Sequence, residues 1–169
     1  VVTSLSIRTG GDELDDALIQ FVKKEYSLML GERTAEEIKT TVGTAFPTPD
    51  ETSAELRGRD LVTGLPRTIV VTAEEIRRAL DEPLTRIVDA VKTTLDRTPP
   101  ELCGDIMDRG IVLTGGGALL KGLDERLRHE TGMPVIIAEQ PLNCVVMGSG
   151  KCVEEFEALQ QVLISEPRG

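Results

Sequence analysis

The chain has 169 residues, 40% of them hydrophobic, 28% charged and 2% aromatic, with a formal net charge of −10 at pH 7. That is length for one domain, or two small lobes, around a core of Leu, Ile, Val and Ala. The acidic balance and the scarcity of aromatic rings exclude nucleic acid as a partner, because its binders need a basic stripe and stacking faces.

Cys103, Cys144 and Cys152 form no CxxC pair, and His129 is the single histidine. A zinc site is therefore not expected, and unpaired, sparse thiols point to a reducing cytoplasm. No window approaches the roughly eighteen apolar residues of a membrane-spanning helix. There is no signal-peptide pattern, and the chain opens on Val1 rather than Met; a fragment of a longer protein is the expectation.

"VVTSLSI" reads as a strand from Val1 to about Ile7, broken by Gly10 and Gly11. Asp12 is placed to cap a helix whose apolar face carries Leu14, Ala17, Leu18, Phe21 and Val22. A second helix is expected over 34–43, with Thr34 and Glu37 as a capping box and Gly43 as its stop. "FPTPDETSAELRGRDLVTGLPRTIVVT" then reads as a β-hairpin or small edge meander, with turn-prone residues at Gly58–Asp60 and Gly64–Pro66. Thr72 and Glu75 repeat the capping-box pattern before a long helix faced by Ile76, Leu80, Leu84, Ile87, Val91 and Leu95. Pro83 should kink or split that helix.

A short helix around 102–107 leads to "RGIVLTGGGALLKGL", a strand that runs into three glycines. A helix over about 120–130 closed by Gly132, the strand "PVIIA" and a last helix from about Val146 to Leu163 complete the chain. Alternating strands and helices with an inserted hairpin give an α/β fold with a parallel or mixed sheet.

Three adjacent glycines cost backbone entropy that any other residues would spare. Gly115, Gly116 and Gly117 form either a tight turn that needs φ > 0 or a backbone that a flat or anionic ligand approaches at a strand's carboxyl end. Known phosphate loops do not match. In "GSGKC", Val145 replaces the first glycine of a Walker A loop and Cys152 its hydroxyl residue; Leu120 replaces the third glycine of a dinucleotide fingerprint. GxSxG is absent, and no acid is placed to orient His129. Paired carboxylates such as Glu36 and Glu37, Asp15 and Asp16, or Glu154 and Glu155 read as caps and solvated faces.

"TGGDELDDALIQFVKKEYSLMLGERTAEEIK", "GRDLVTGLPR", "TPPELCGDIMDRGIVLTGGGALLKGLDERL" and "EQPLNCVVMGSGKCVE" resemble, in order and over nearly the whole chain, the bacterial actin homologues of the MreB/Mbl family. The resemblance implies the second domain of an actin-like fold, α/β with a mixed sheet and a smaller α+β insertion. Residues 1–8 and 73–141 would form the large subdomain and 9–72 the insertion. Residues 142–169 would be a C-terminal helix that packs on the other domain. It also implies ATP with Mg2+ as cofactor and polymerisation into filaments beneath the cytoplasmic membrane. These filaments act with other shape and cell-wall-synthesis proteins to keep cells rod-shaped by organising peptidoglycan synthesis.

By the same resemblance the nucleotide-binding residues are Gly115, Gly116, Gly117, Ala118 and Leu119, against adenine and ribose, and Glu36, Glu37, Ile38 and Lys39 on the facing helix. Glu36 would accept from the ribose hydroxyls while the Lys39 stem covers the base; the alternative is an ordinary surface ion pair. The family's phosphate loops and metal carboxylates match nothing in this sequence, so no catalytic or metal residue is expected and the chain alone should hydrolyse no ATP. A second hypothesis is a freestanding truncated paralogue, a non-enzymatic interaction module docking through Val146, Val153, Phe156, Leu159 and Leu163. Another actin and sugar-kinase ATPase is disfavoured by "GRDLVTGLPR", which looks particular to the MreB branch.

Overall fold

A computed structural model describes residues 1–49 and 51–159. Helix α1, Gly11–Tyr26, starts from Gly10, whose N–H donates to the Glu13 carboxylate at 2.8 Å. Asp12 lies inside the first turn rather than at the cap, where its charge still suits the helix dipole. Leu14, Leu18 and Val22, spaced by four, form the buried stripe. Ser27 adopts φ 51° and turns the chain into a two-residue strand, β1, Leu28–Met29.

Helix α2, Glu32–Thr41, begins two residues before its expected start. Its cap is Gly31, and the Thr34 and Ala35 amides both donate to the Gly31 carbonyl at 3.1 Å. The helix is thus already running at Thr34, and the expected Thr34–Glu37 capping box does not form. Its end is as read: Val42 and Gly43 amides converge on the Ile38 carbonyl.

Strands β2, Ser53–Asp60, and β3, Pro66–Thr72, form the hairpin, and β1 joins it to make a three-stranded antiparallel sheet in the order β1-β2-β3. Gly58 belongs to the strand, and the turn falls after Asp60. There the Asp60 carboxylate accepts from the Val62 and Thr63 amides at 2.9 and 2.8 Å and pairs with Arg67 at 2.8 Å. The Thr63 amide, then Arg67, then the Val62 amide hold that carboxyl well below the usual carboxylate range. Leu56 pairs with Ile69, and with Val71 these side chains face the helices.

The Thr72–Glu75 capping box forms as expected and opens α3, Ala73–Asp96. This helix continues through Pro83 as one element. A mid-helix proline costs about 3 kcal/mol; burial of Ile76, Leu80, Pro83, Leu84 and Val88 along one face offsets that. Helix α4, Pro100–Arg109, leads to β4, Ile111–Leu113, a 3-10 turn over Gly116–Leu119, and α5, Leu123–Thr131. Gly132 closes α5 in the left-handed region, and β5, Val135–Ile137, runs parallel to β4.

Helix α6, Cys144–Glu154, is separated by Glu155 from a single turn, α7, Phe156–Leu159. The expected helix to Leu163 is therefore interrupted, and Leu163 itself lies outside the described residues. Residues 1–7 pair with no strand among the described residues, although their alternation suggested one. A strand exists only through its ladder, and local pattern cannot provide the neighbour. One apolar core links α1, α2, the three-stranded sheet and α3, and reaches α5 and β5 through Leu120, Leu123, Leu127 and Val135.

Candidate functional site: the cleft between the second helix and the glycine turn

Two distant parts of the sequence are tied together before any ligand is considered. Thr44, just past α2, bridges the backbone of Lys121, just past the glycine turn, and the Ala45 amide donates to the Lys121 carbonyl at 2.7 Å. The Lys121 ammonium returns to the Thr41 carbonyl at 3.2 Å, satisfying one of the open carbonyls at the end of α2. Gly122 completes the joint. Its φ is +76°, and a Cβ there would lie 3.0 Å from both the Phe46 Cβ and amide nitrogen.

That joint sets α2 against the 3-10 turn and leaves a small cleft of about 90 Å³ between them, lined by Gly11, Leu14, Lys39, Thr40, Gly116 and Gly117, with Leu119 and Leu120 at its side. Roughly three waters' worth of volume suits the edge of a planar group rather than a whole nucleoside, the rest of which would lie toward the open side. Larger grooves exist. One of about 520 Å³ lies between α3, α5 and Phe46, and one of about 450 Å³ is an apolar trough beside Leu5, Ile7 and α3. Of the first groove's arginines, Arg77 pairs with Glu51 and Arg126 with Asp81, while Arg78 lies over the Phe21 ring.

The three glycines differ in what the chain itself asks of them. Gly115 has φ +85°, a conformation that side chains rarely adopt, and its amide donates to the Pro141 carbonyl at 2.8 Å. A Cβ on Gly116 would make only ordinary contact with Leu142 Cδ2 at 3.5 Å, and one on Gly117 would meet nothing within 4 Å. Neither of the latter two has a positive φ. The fold alone gives no reason for glycine at 116 or 117.

Of the residues singled out from the sequence, Lys39, Gly116, Gly117 and Leu119 line one cleft. Glu36 and Glu37 are exposed on α2, whereas Ile38 and Ala118 are buried. Lys39 does not pair with Glu36. Its ammonium turns inward to Asp15 Oδ2 at 2.8 Å and the Gly11 carbonyl at 3.1 Å. Asp15, a solvated carboxylate by sequence, is here turned in to Lys39, and Gly11, Leu14 and Thr40 join the cleft without a signal in the sequence. The helical spacing of Leu14 and Asp15 in α1 could not show which residue of another helix would face them.

The sequence model described as MreB/Mbl protein matches residues 1–161. The chain is 52% identical over 159 residues to the cell shape-determining protein Mbl of Bacillus cereus, covering 94% of this chain and 48% of that protein. It is 49% identical over 166 residues to the cell shape-determining protein MreB of Escherichia coli, covering 98% and 48%. The chain thus spans about half the length of these relatives. The structure of MreB5 of Spiroplasma citri bound to ADP superposes with a TM-score of 0.89 at 36% identity, over 95% of this chain and 49% of that one. The MamK double helical filament, at 19% identity and a TM-score of 0.62, shares the fold. With this match running from the first residue through the glycine turn and into α6, the chain folds as part of an actin-like protein and belongs to the MreB/Mbl family.

Proposed function

We propose that the cleft between α2 and the glycine turn is the adenosine wall of an ATP site. One observation carries the reading: Gly116 and Gly117 are neither strained nor crowded by their own chain. Glycines that the fold does not require are expected where a ligand must lie against the backbone. The solved relatives MreB5 of Spiroplasma citri with ADP and with AMPPNP support a nucleotide as that ligand. The base would lie against Gly116, Gly117 and Leu119, with the Lys39 stem opposite. Glu36 and Glu37, exposed on α2, would face the ribose; buried Ile38 and Ala118 hold the two walls to the core. Gly115 sets the turn's direction.

Magnesium bound with a nucleotide is held by one or two carboxylates, waters and the phosphates themselves, and no carboxylate lines this cleft; no residue here is assigned to it. Adenosine contact alone should give a dissociation constant of about 1 mM, or ~4 kcal/mol.

Membership of the family supports a larger role. The chain would form part of a filament-forming, cell shape-determining protein that works from the cytoplasm at the inner membrane face and organises peptidoglycan synthesis. In it residues 1–8 and 73–141 would serve as the large subdomain, 9–72 as the insertion, and α6 with α7 as the part of 142–169 that packs on the other domain; residues 160–169 lie outside the described residues. The exposed Val145, Val146 and Met147 of α6 favour that packing.

Titration of the chain with adenosine, followed by amide NMR, tests the site. Shifts at Thr40, Gly116, Gly117 and Leu119 are expected, and Gly117→Val should weaken binding at least tenfold while the unfolding midpoint is kept. Shifts confined to other surfaces, or a Gly117→Val variant that binds as well as the parent, would overturn the reading.

A further inference from the structure

We propose that Asp15 is the positioning residue of this cleft, fixing Lys39 so that its methylene stem, and not its ammonium, faces the ligand. The inference rests on the adenosine reading above. The two side chains are 14% and 13% exposed and meet at 2.8 Å, with Lys39 Nζ also donating to the Gly11 carbonyl at 3.1 Å. Gly11 and Lys39 both line the cleft, so the ion pair sits at its edge and decides where the stem lies. A lysine stem is flexible and loses rotamer freedom when ordered. Left free, the ammonium would swing to water and take the wall with it.

Stability alone is a poor account of the pair. Asp15 Oδ1 is buried and has no hydrogen-bond partner, so the carboxylate is only half compensated. Such pairs are often replaceable by apolar residues without loss, because desolvation cancels the attraction. What the geometry does provide is direction: Asp15 from α1 and Lys39 from α2 are 24 residues apart, and their contact ties the end of the stem to α1 beside the cleft that Lys39 lines. The ammonium's charge is spent on Asp15, which leaves an apolar surface for a neutral base.

The test uses the wild-type chain and Asp15→Asn, with adenosine as the probe. In the wild type, saturating adenosine should move the Lys39 methylene signals while the ammonium keeps its hydrogen-bond coupling to the Asp15 carboxylate. In Asp15→Asn the adenosine dissociation constant should rise fivefold or more with an unchanged amide spectrum elsewhere. Loss of the ammonium coupling on binding, or a variant that binds within twofold of the wild type, would overturn the role of Asp15 alone. If Asp15→Asn does not fold, the wild-type coupling decides. A wild-type chain whose spectrum does not respond to adenosine would overturn the nucleotide reading itself.

Discussion

The Tyr26 hydroxyl donates to Glu75 Oε1 at 2.5 Å, joining the last residue of α1 to the capping box of α3. The other Glu75 oxygen accepts from the Thr72 amide at 2.9 Å and from its hydroxyl at 3.0 Å. One carboxylate thus caps a helix and ties it to its neighbour.

Both ends of that bond titrate, in opposite senses. The Tyr26 hydroxyl, then the Thr72 amide, hold the Glu75 carboxyl below its ordinary value. A depressed folded value contributes stability above the unfolded pKa of about 4.3, lost as pH falls through the folded one. The same bond, then burial, raises Tyr26. That contribution is complete below the unfolded value of about 10 and is lost as pH rises through the folded one. Tyr26→Phe should therefore cost about 1 kcal/mol near pH 7 and flatten the stability curve at both the acid and the alkaline end. Urea midpoints at pH 3.5, 7 and 10.5 check this; equal losses at all three would refute it.

Much of this fold is written locally, and the exceptions have a common cause. The Thr72–Glu75 box, the hairpin, the Gly132 stop and the stripe Leu14, Leu18, Val22 were legible because each depends on residues within a few positions. The strand expected at Val1–Ile7 and the two-residue β1 were misread or missed because pairing is settled by the partner. Thr34 failed as a cap because Gly31 had already started the helix. For the site, the sequence pointed to the glycines and Lys39, but not to Asp15, which α1 brings to Lys39 from 24 residues away. Nor could it separate Gly115, which needs its φ, from Gly116 and Gly117, which do not.

That separation makes a second prediction. A Cβ on Gly43 would lie 2.2 Å from the Lys39 carbonyl oxygen, and one on Gly122 would press on Phe46 in a backbone region hostile to side chains. Gly43→Ala and Gly122→Ala should each destabilise the chain by about 2 kcal/mol or more. Gly117→Ala, in open space at an ordinary φ, should stay within roughly 0.5 kcal/mol. Chemical denaturation of the three variants measures the contrast. If Gly117→Ala proves as costly as Gly122→Ala, the fold does need that glycine, and its presence no longer points to a ligand.

The surface of α6 gives the last prediction. Val145, Val146, Met147 and Val153 are all exposed, no residue of α6 is buried, and Phe156 beyond it is 52% exposed. An apolar helix surface without a covering layer contributes nothing to the stability of the chain that carries it, yet promotes association. Val146→Glu and Val153→Glu together should leave the unfolding free energy within about 0.5 kcal/mol of the parent, while lowering self-association in sedimentation at high concentration. A loss of 2 kcal/mol or more would mean that these valines already pack within the chain. Val146 lies one turn from the Pro141–Asn143 stretch that holds Gly115, whose amide bonds Pro141. Adenosine affinity in the double variant should match the parent, because neither valine lines the cleft.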